Sequence, residues 1–279
     1  MSAHFPADWL SLREPVDARS RSAELADILV RRWSSAQTLR VIDLGSGHGS
    51  NQRWLAPRLT QSQHWTLVDH DAQLLERALA SELPRHIASK AEQIDLADWH
   101  LPTTTAPDLV TASALFDLAS QETIEGLAAE LAAAGAAGLF ALTVDGHWGL
   151  LDASGQPLSD GDTEQVRALF NRHQQGDKGL GQALGPAAAI ALPQALAQAG
   201  MTVTTRPSPW LLAAGEQAGS DLARALVGGW AEAAIEQAQA EDRERHWIPA
   251  WRDSLKQALD QAQVGLEVGH IDVLALPES

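Results

Sequence analysis

Between residues 38 and 144, short apolar runs alternate with stretches whose apolar residues recur at helical spacing, and this alternation leaves few folds open. Leu39-Arg40-Val41-Ile42-Asp43-Leu44 stops at glycines and suits a strand buried on both faces. Residues 64–69, 108–113 and 138–144 read as further strands, and 90–96 as a weaker one. Helical periodicity fills the intervals 51–59, 71–81 and 120–134; at 71–81, Leu74, Leu75, Ala78 and Leu79 share a face. Ahead of the first strand, residues 17–33 place Leu25, Ile28, Leu29 and Trp33 on one side of a single helix. Strands alternating with helices predict a parallel sheet covered on both faces.

Past Val144 the pattern changes. Residues 145–186 are glycine-rich around a short helix at 162–173, too long for a plain connection, and are expected to form a lid or insertion. An Ala-rich helix at 187–199, a strand at 201–212 broken by prolines, a long helix at 219–240 and a strand at 266–277 complete the chain. The expected division is therefore a helical segment at 1–37, a ligand-binding half at 38–144, the insertion at 145–186, and a C-terminal half at 187–279 that completes the sheet and adds substrate-binding helices.

Composition narrows the function classes. Lys and Arg total 20 against 36 Asp and Glu, a formal net charge of −16, so neither nucleic acid nor an anionic membrane is an expected partner. The chain has no cysteine, which excludes disulfides, thiolate nucleophiles and Cys-ligated metal sites. Its ten His show no HxxxH or HExxH spacing, and no metal is expected. Residues 1–10 lack a basic segment followed by a long apolar run, and the longest uncharged apolar stretch, 131–144, falls short of the ~20 residues of a spanning helix. A cytoplasmic location is expected; the oligomeric state is left open.

The chemistry-bearing segment is Val41-Ile42-Asp43-Leu44-Gly45-Ser46-Gly47-His48-Gly49-Ser50. Glycines at a strand-to-helix turn let the backbone adopt conformations closed to other residues and approach a ligand without an intervening Cβ. The spacing is G-x-G-x-G, with Ser50 where the third glycine of the dinucleotide fingerprint would stand, and no Lys-Ser or Lys-Thr follows as in a P-loop. Asp69 ends the second strand, Thr66-Leu67-Val68-Asp69.

D-x-G-x-G-x-G after the first strand, with an acid at the tip of the second, resembles motif I and its partner in the class I S-adenosylmethionine-dependent methyltransferases, over about residues 38–144. The resemblance implies a Rossmann-like α/β fold, with a mostly parallel seven-stranded sheet, helices on both faces and a C-terminal antiparallel hairpin. It also implies S-adenosyl-L-methionine as cofactor and methyl transfer to a small-molecule acceptor. The same scaffold also carries other chemistry, such as aminopropyl transfer, or cofactor binding without catalysis. By the resemblance, Asp43, Gly45, Ser46, Gly47 and Gly49 form the cofactor loop, Asp69 with His70 takes the ribose, Asp95 with Leu96 borders the adenine, and Ser113 lies at the same edge. Arg21 is a candidate for the cofactor carboxylate. For the acceptor, Phe116 and Asp117 follow the fourth strand, Trp148 offers a flat face, and Arg172 and Lys178 can bind an anionic group. His173, in the polar stretch 170–179, is the candidate general base.

Overall fold

The computed structural model describes residues 7–176 and 182–278. In chain order the elements are α1 (Ala7–Ser20), α2 (Ala23–Arg32), β1 (Thr38–Leu44), α3 (Ser50–Leu55), β2 (Ser62–Asp69), α4 (Ala72–Leu79), β3 (Ile87–Gln93), β4 (Leu109–Ser113), α5 (Gln121–Ala134), β5 (Ala137–Asp152), β6 (Pro157–Leu158), α6 (Gly161–His173), α7 (Ala188–Gln198), β7 (Thr202–Pro207), β8 (Trp210–Leu212), α8 (Gln217–Ala240), α9 (Ile248–Asp260) and β9 (Val264–Leu276).

The strands form one sheet in the order β3-β2-β1-β4-β5-β9-β7, with β6 paired to β5 and β8 to β9, nine strands rather than the seven expected. The two additions are short pairings on an unchanged seven-strand path. β3, β2, β1, β4 and β5 are mutually parallel, whereas β9 runs antiparallel to both β5 and β7, the C-terminal hairpin foreseen above. Strand order reverses between β1 and β4, so the crevice outside their carboxyl ends is where such a sheet takes its ligand.

Alternation along the strands divides the apolar residues between two layers. Val41, Trp65, Leu67 and Leu139 face Leu25, Leu29, Leu55 and Leu75 of α2, α3 and α4. Ile42, Val68, Val110 and Phe140 face Ile124, Leu131, Leu192 and Leu196 of α5 and α7. A third core sits beyond the sheet's carboxyl edge, where β5 and β9 continue past the end of β4. It joins Trp148 and Leu150 of β5, Leu266 and Val268 of β9, Leu169 of α6, Trp230 of α8, Trp251 of α9 and Val16 of α1.

Two elements depart from expectation. The helix expected at 17–33 is two helices. Ser22 N-caps α2 by accepting from the Leu25 N–H (3.3 Å), and its own N–H donates to Asp272 on β9 (2.6 Å), which fixes the bend. The segment after Val144 does not begin as a lid. β5 runs on through Asp145-Gly146 to Asp152, and the shift in its pairing with β9 is absorbed by bulges, one with Leu142 at φ +56°. Asp272 holds that bulge as well, accepting from the Leu142 N–H and the Ser208 hydroxyl.

Candidate functional site

The glycine loop leaves β1 as the spacing predicts. Gly45, Gly47 and Gly49 have φ of +57°, +53° and +86°, a region that L side chains avoid. The Ser46 N–H donates to the Val68 carbonyl, tying the loop to β2. Asp69 braces it: one carboxylate oxygen accepts from the Gly47 N–H (2.8 Å) and the other from the Asp71 N–H (3.0 Å). Asp71 caps α4, so Asp69 is not needed for that task. His70 is exposed, with Nδ1 3.4 Å from Asp69.

Asp43 lies beneath the loop, fully buried. Its Oδ1 accepts from Asn51 Nδ2 (2.8 Å), which also donates to Thr111. Its Oδ2 has no partner. Burial pushes this carboxyl up to about 7, against the pull of the Asn51 hydrogen bond and the Arg21 charge.

Arg21 follows α1 and reaches the same place. Its Nη2 donates to Ser113 Oγ (3.0 Å) and Ser50 Oγ (3.2 Å), joining the ends of β4 and the glycine loop. Ser50 is thus a partner of Arg21 and not a side-chain cap for α3. The Arg21 side chain has no exposed surface, and both Nε and Nη1 lack partners. Burial lowers its pKa while the charges of Asp17, Asp272 and Asp43 oppose that shift. A buried guanidinium with two unused donor atoms is costly unless something else accepts from them.

α1 covers the loop. A Cβ on Gly47 would lie 3.3 Å from Leu10, and one on Gly45 would lie 3.1 Å from Leu115. Glu14 of α1 accepts from Arg53 Nε and Nη2 (2.8 and 2.7 Å), and its Oε2 is 3.3 Å from His48 of the loop. The bare faces of the loop are therefore in contact with side chains, and α1 must give way where a ligand is to lie on Gly47.

The other expected residues separate into two groups. Asp95 and Leu96 lie just beyond β3, at the sheet edge beside β2, with Asp95 accepting from the Ala97 N–H. Asp117 stands after β4 near Arg13, and burial raises its carboxyl. Phe116, however, is a core residue packed edge-on against Phe140 (centroids 4.9 Å apart). Trp148 is buried and stacked directly on Trp230 (3.8 Å, 13°), so the two rings fill each other's faces and do not sandwich a third. His173 and Arg172 end α6 and turn to α8, with His173 Nε2 3.0 Å from Glu236 and Arg172 on Glu241. Neither joins the loop residues, because the helix end carries them to the outer side of the upper core. Lys178 lies outside the described residues. Among the described residues, no cluster of His, Asp and Glu fits a metal ion, and no helix is long and apolar enough to cross a membrane.

Sequence reasoning missed Arg13 and His270 as parts of one group. Arg13 holds Asp17 through Nε and Nη2 (2.9 and 3.3 Å) and lies over Trp210 (5.0 Å). His270, on β9, packs against the same Trp210 (4.8 Å). Only the fold brings these segments together, so no local signal marks them.

Residues 41–138 match the family model of a methyltransferase domain. No curated protein matches the chain by sequence. Among solved structures, the chain is similar to a cyclopropane-fatty-acyl-phospholipid synthase-like protein from Lactobacillus casei, at 14% identity and a TM-score of 0.50 over 97% of this chain and 95% of that one. A cyclopropane synthase from Mycobacterium tuberculosis gives 11% identity and a TM-score of 0.49 over 97% and 94% of the two chains. A phosphoethanolamine N-methyltransferase from Haemonchus contortus gives 14% and 0.42 over 92% and 53%. The first of these likenesses shows a common fold.

Proposed function

We propose that this chain, a class I S-adenosylmethionine-dependent methyltransferase by its domain at residues 41–138, transfers a methyl group to a small-molecule acceptor with the glycine loop, Asp69, Asp43 and Arg21 as its cofactor site. One observation carries the residue assignment: three unpartnered buried atoms, Arg21 Nε and Nη1 and Asp43 Oδ2, belong to side chains that meet at the carboxyl ends of β1 and β4. An amino acid's zwitterion supplies what they lack, a carboxylate for the guanidinium donors and an ammonium for the carboxylate oxygen.

When bound, the cofactor supplies a methyl group activated by its sulfonium for in-line displacement. The chain's own part is to bind, align and exclude water. Asp69 keeps lone pairs beyond those given to the Gly47 and Asp71 amides, and these accept from the two ribose hydroxyls. Gly45, Gly47 and Gly49 bring bare backbone to the nucleoside. Asp95 and Leu96 border the adenine from the edge beside β2, with His70 at its rim, while Ser46 and Ser113 flank the methionine portion. Leu10 and Leu115, once resettled on the ligand, shield it from water. Alignment alone is worth ~7–11 kcal/mol of barrier in well-oriented systems, so no strong acid or base is required beside the loop. Asp117 lies on the acceptor side, and a small-molecule acceptor agrees with the acidic balance of the chain.

Titration calorimetry with S-adenosylmethionine and with its demethylated product tests this reading. Both should bind, and Asp69→Ala and Arg21→Gln should each weaken binding by the ~1.5–3 kcal/mol typical of hydrogen bonds to a charged group. No heat at millimolar ligand would remove the cofactor assignment. Unchanged affinity in either variant would remove that residue from the site.

A further inference from the structure

Arg21 stands where α1 gives way to α2, and both peptide groups that flank its Cα are held. Its own N–H donates to the Asp17 carbonyl (3.0 Å), closing the last turn of α1. The next N–H, that of Ser22, belongs to the planar peptide group that Arg21 opens, and it donates to Asp272 Oδ2 on β9 (2.6 Å). With both planes fixed, the φ and ψ of Arg21 are fixed, and so is the direction in which its side chain leaves the backbone. α2 begins at once beyond Ser22 and is seated in the core by Leu25, Ala26 and Leu29, all fully buried.

The other oxygen of Asp272 reaches the receiving end of the same arginine. Oδ1 accepts from the Leu142 N–H (2.8 Å) and the Ser208 hydroxyl (2.6 Å), which pins the β5 bulge. Ala141, the residue before Leu142, pairs with Ser113 of β4, and its carbonyl accepts from the Ala114 N–H (2.9 Å). Ser113 Oγ in turn accepts from Arg21 Nη2. One buried carboxylate thus holds both the backbone from which Arg21 departs and the strand end that receives it. A buried carboxylate is costly unless donors and an opposite charge offset it, and Asp272 has both. Burial raises its carboxyl, while hydrogen bonds from Ser208, Ser22 and Leu142 and the Arg21 charge pull it down.

Resting on the cofactor reading above, we propose that Asp272 is a positioning residue for the amino-acid portion of the cofactor. It touches no ligand; it sets Arg21 against Ser113, so that Arg21 Nε and Nη1, which lack partners, are placed for the cofactor carboxylate. A neutral amide cannot do the same work. It presents one oxygen and one NH2 group, so Asp272→Asn sets that NH2 against either the Ser22 N–H or the Leu142 N–H and releases one end of the bridge. A nucleoside without the amino-acid portion makes no use of the bridge.

Titration calorimetry on the full-length protein compares S-adenosylhomocysteine with 5′-methylthioadenosine, which keeps the nucleoside and the sulfur but lacks the amino-acid carboxylate. Asp272→Asn should weaken the first about tenfold or more and the second less than about twofold, the pattern also expected of Arg21→Gln. The double variant should bind S-adenosylhomocysteine within about twofold of Arg21→Gln alone, because Asp272 acts through Arg21. Ser208→Ala takes one donor from the same carboxylate and leaves the Ser22 and Leu142 bonds in place, so it should keep both ligands within about twofold. A merely structural role would weaken both ligands alike or add to the Arg21 loss. Either result, or an unchanged S-adenosylhomocysteine affinity in Asp272→Asn, overturns the proposal. Where Asp272→Asn does not fold, amide hydrogen exchange in the parent protein decides. S-adenosylhomocysteine should slow the Ser22 and Leu142 amides about fivefold more than 5′-methylthioadenosine does, and equal slowing overturns the proposal. Failure of the parent protein to bind S-adenosylhomocysteine at all would instead overturn the cofactor reading.

Discussion

Asp43 and His270 are buried, and burial moves each toward its neutral form, so they load the fold in opposite directions of pH. The Asp43 carboxyl rises from 3.8 to about 7. Its neutral form is the one the fold tolerates, so its contribution is fully present below pH 3.8 and is lost as pH rises through 7. His270 falls from 6.5 to about 3, so its contribution is present above pH 6.5 and is lost as pH falls toward 3. Asp43→Asn keeps an oxygen for the Asn51 amide and removes the charge; it should raise the melting temperature at pH 8 and leave it nearly unchanged at pH 4. An equal shift at both pH values would show that titration of Asp43 is not the cause. Gly47→Ala is expected to cost roughly 1–3 kcal/mol, the scale of a strained left-handed residue, because its φ is +53° and its added methyl would press on Leu10. Gly161→Ala, at the start of α6 with nothing within 4 Å, is the control and should leave stability unchanged or slightly raised; thermal melts at one pH distinguish the two. Of the residues that bear on the site, those of the glycine loop and its two acids were the most legible. Asp43, the glycines and Asp69 announce themselves because strand, turn and acid are contiguous or one strand apart. His270 sits in Leu266–Leu276, which reads as an ordinary core strand, and its partners Arg13 and Trp210 come from distant segments, so only the assembled fold shows what it faces.

At the scale of elements, α1 is the part whose behaviour the account depends on. Pro15 and the run of polar residues around it conceal a helix that spans Ala7–Ser20, and periodicity places the first helix ten residues too late. The fold holds α1 over the glycine loop with the Glu14–Arg53 pair and the Leu10 contact. Glu14→Ala should therefore speed amide hydrogen exchange across residues 7–20 while leaving β1 and β4 protected, and should raise both the association and the dissociation rate of S-adenosylhomocysteine. Unaltered exchange in α1 would mean that the pair does not hold the cover. β5 is the second element that sequence read short. Asp145-Gly146 resembles a turn, but with β9 already alongside, the backbone carries its bulges and continues to Asp152. A bulge is invisible to period-two patterning because it interrupts the pattern that defines a strand.

At the scale of the whole molecule, a parallel half that carries the proposed cofactor site is joined to an upper core, and the long β5–β9 ribbon makes them one sheet. The parallel half was legible because its alternation of runs is local. The upper core was not, because its tryptophans and helices could be placed only once β5 and β9 were known to extend past the sheet. The net charge of −16 belongs to this scale too. A fluorescent 30-base-pair duplex should show no binding at 0.15 M salt with tens of micromolar protein, and saturable binding there would reveal a basic surface that the composition does not provide. The most direct measurement of the central claim is a crystal structure with S-adenosylhomocysteine. The ribose should lie on Asp69 and the carboxylate on Arg21, with Leu10 lifted from Gly47. A nucleoside bound elsewhere, with Leu10 still seated on the loop, would contradict it.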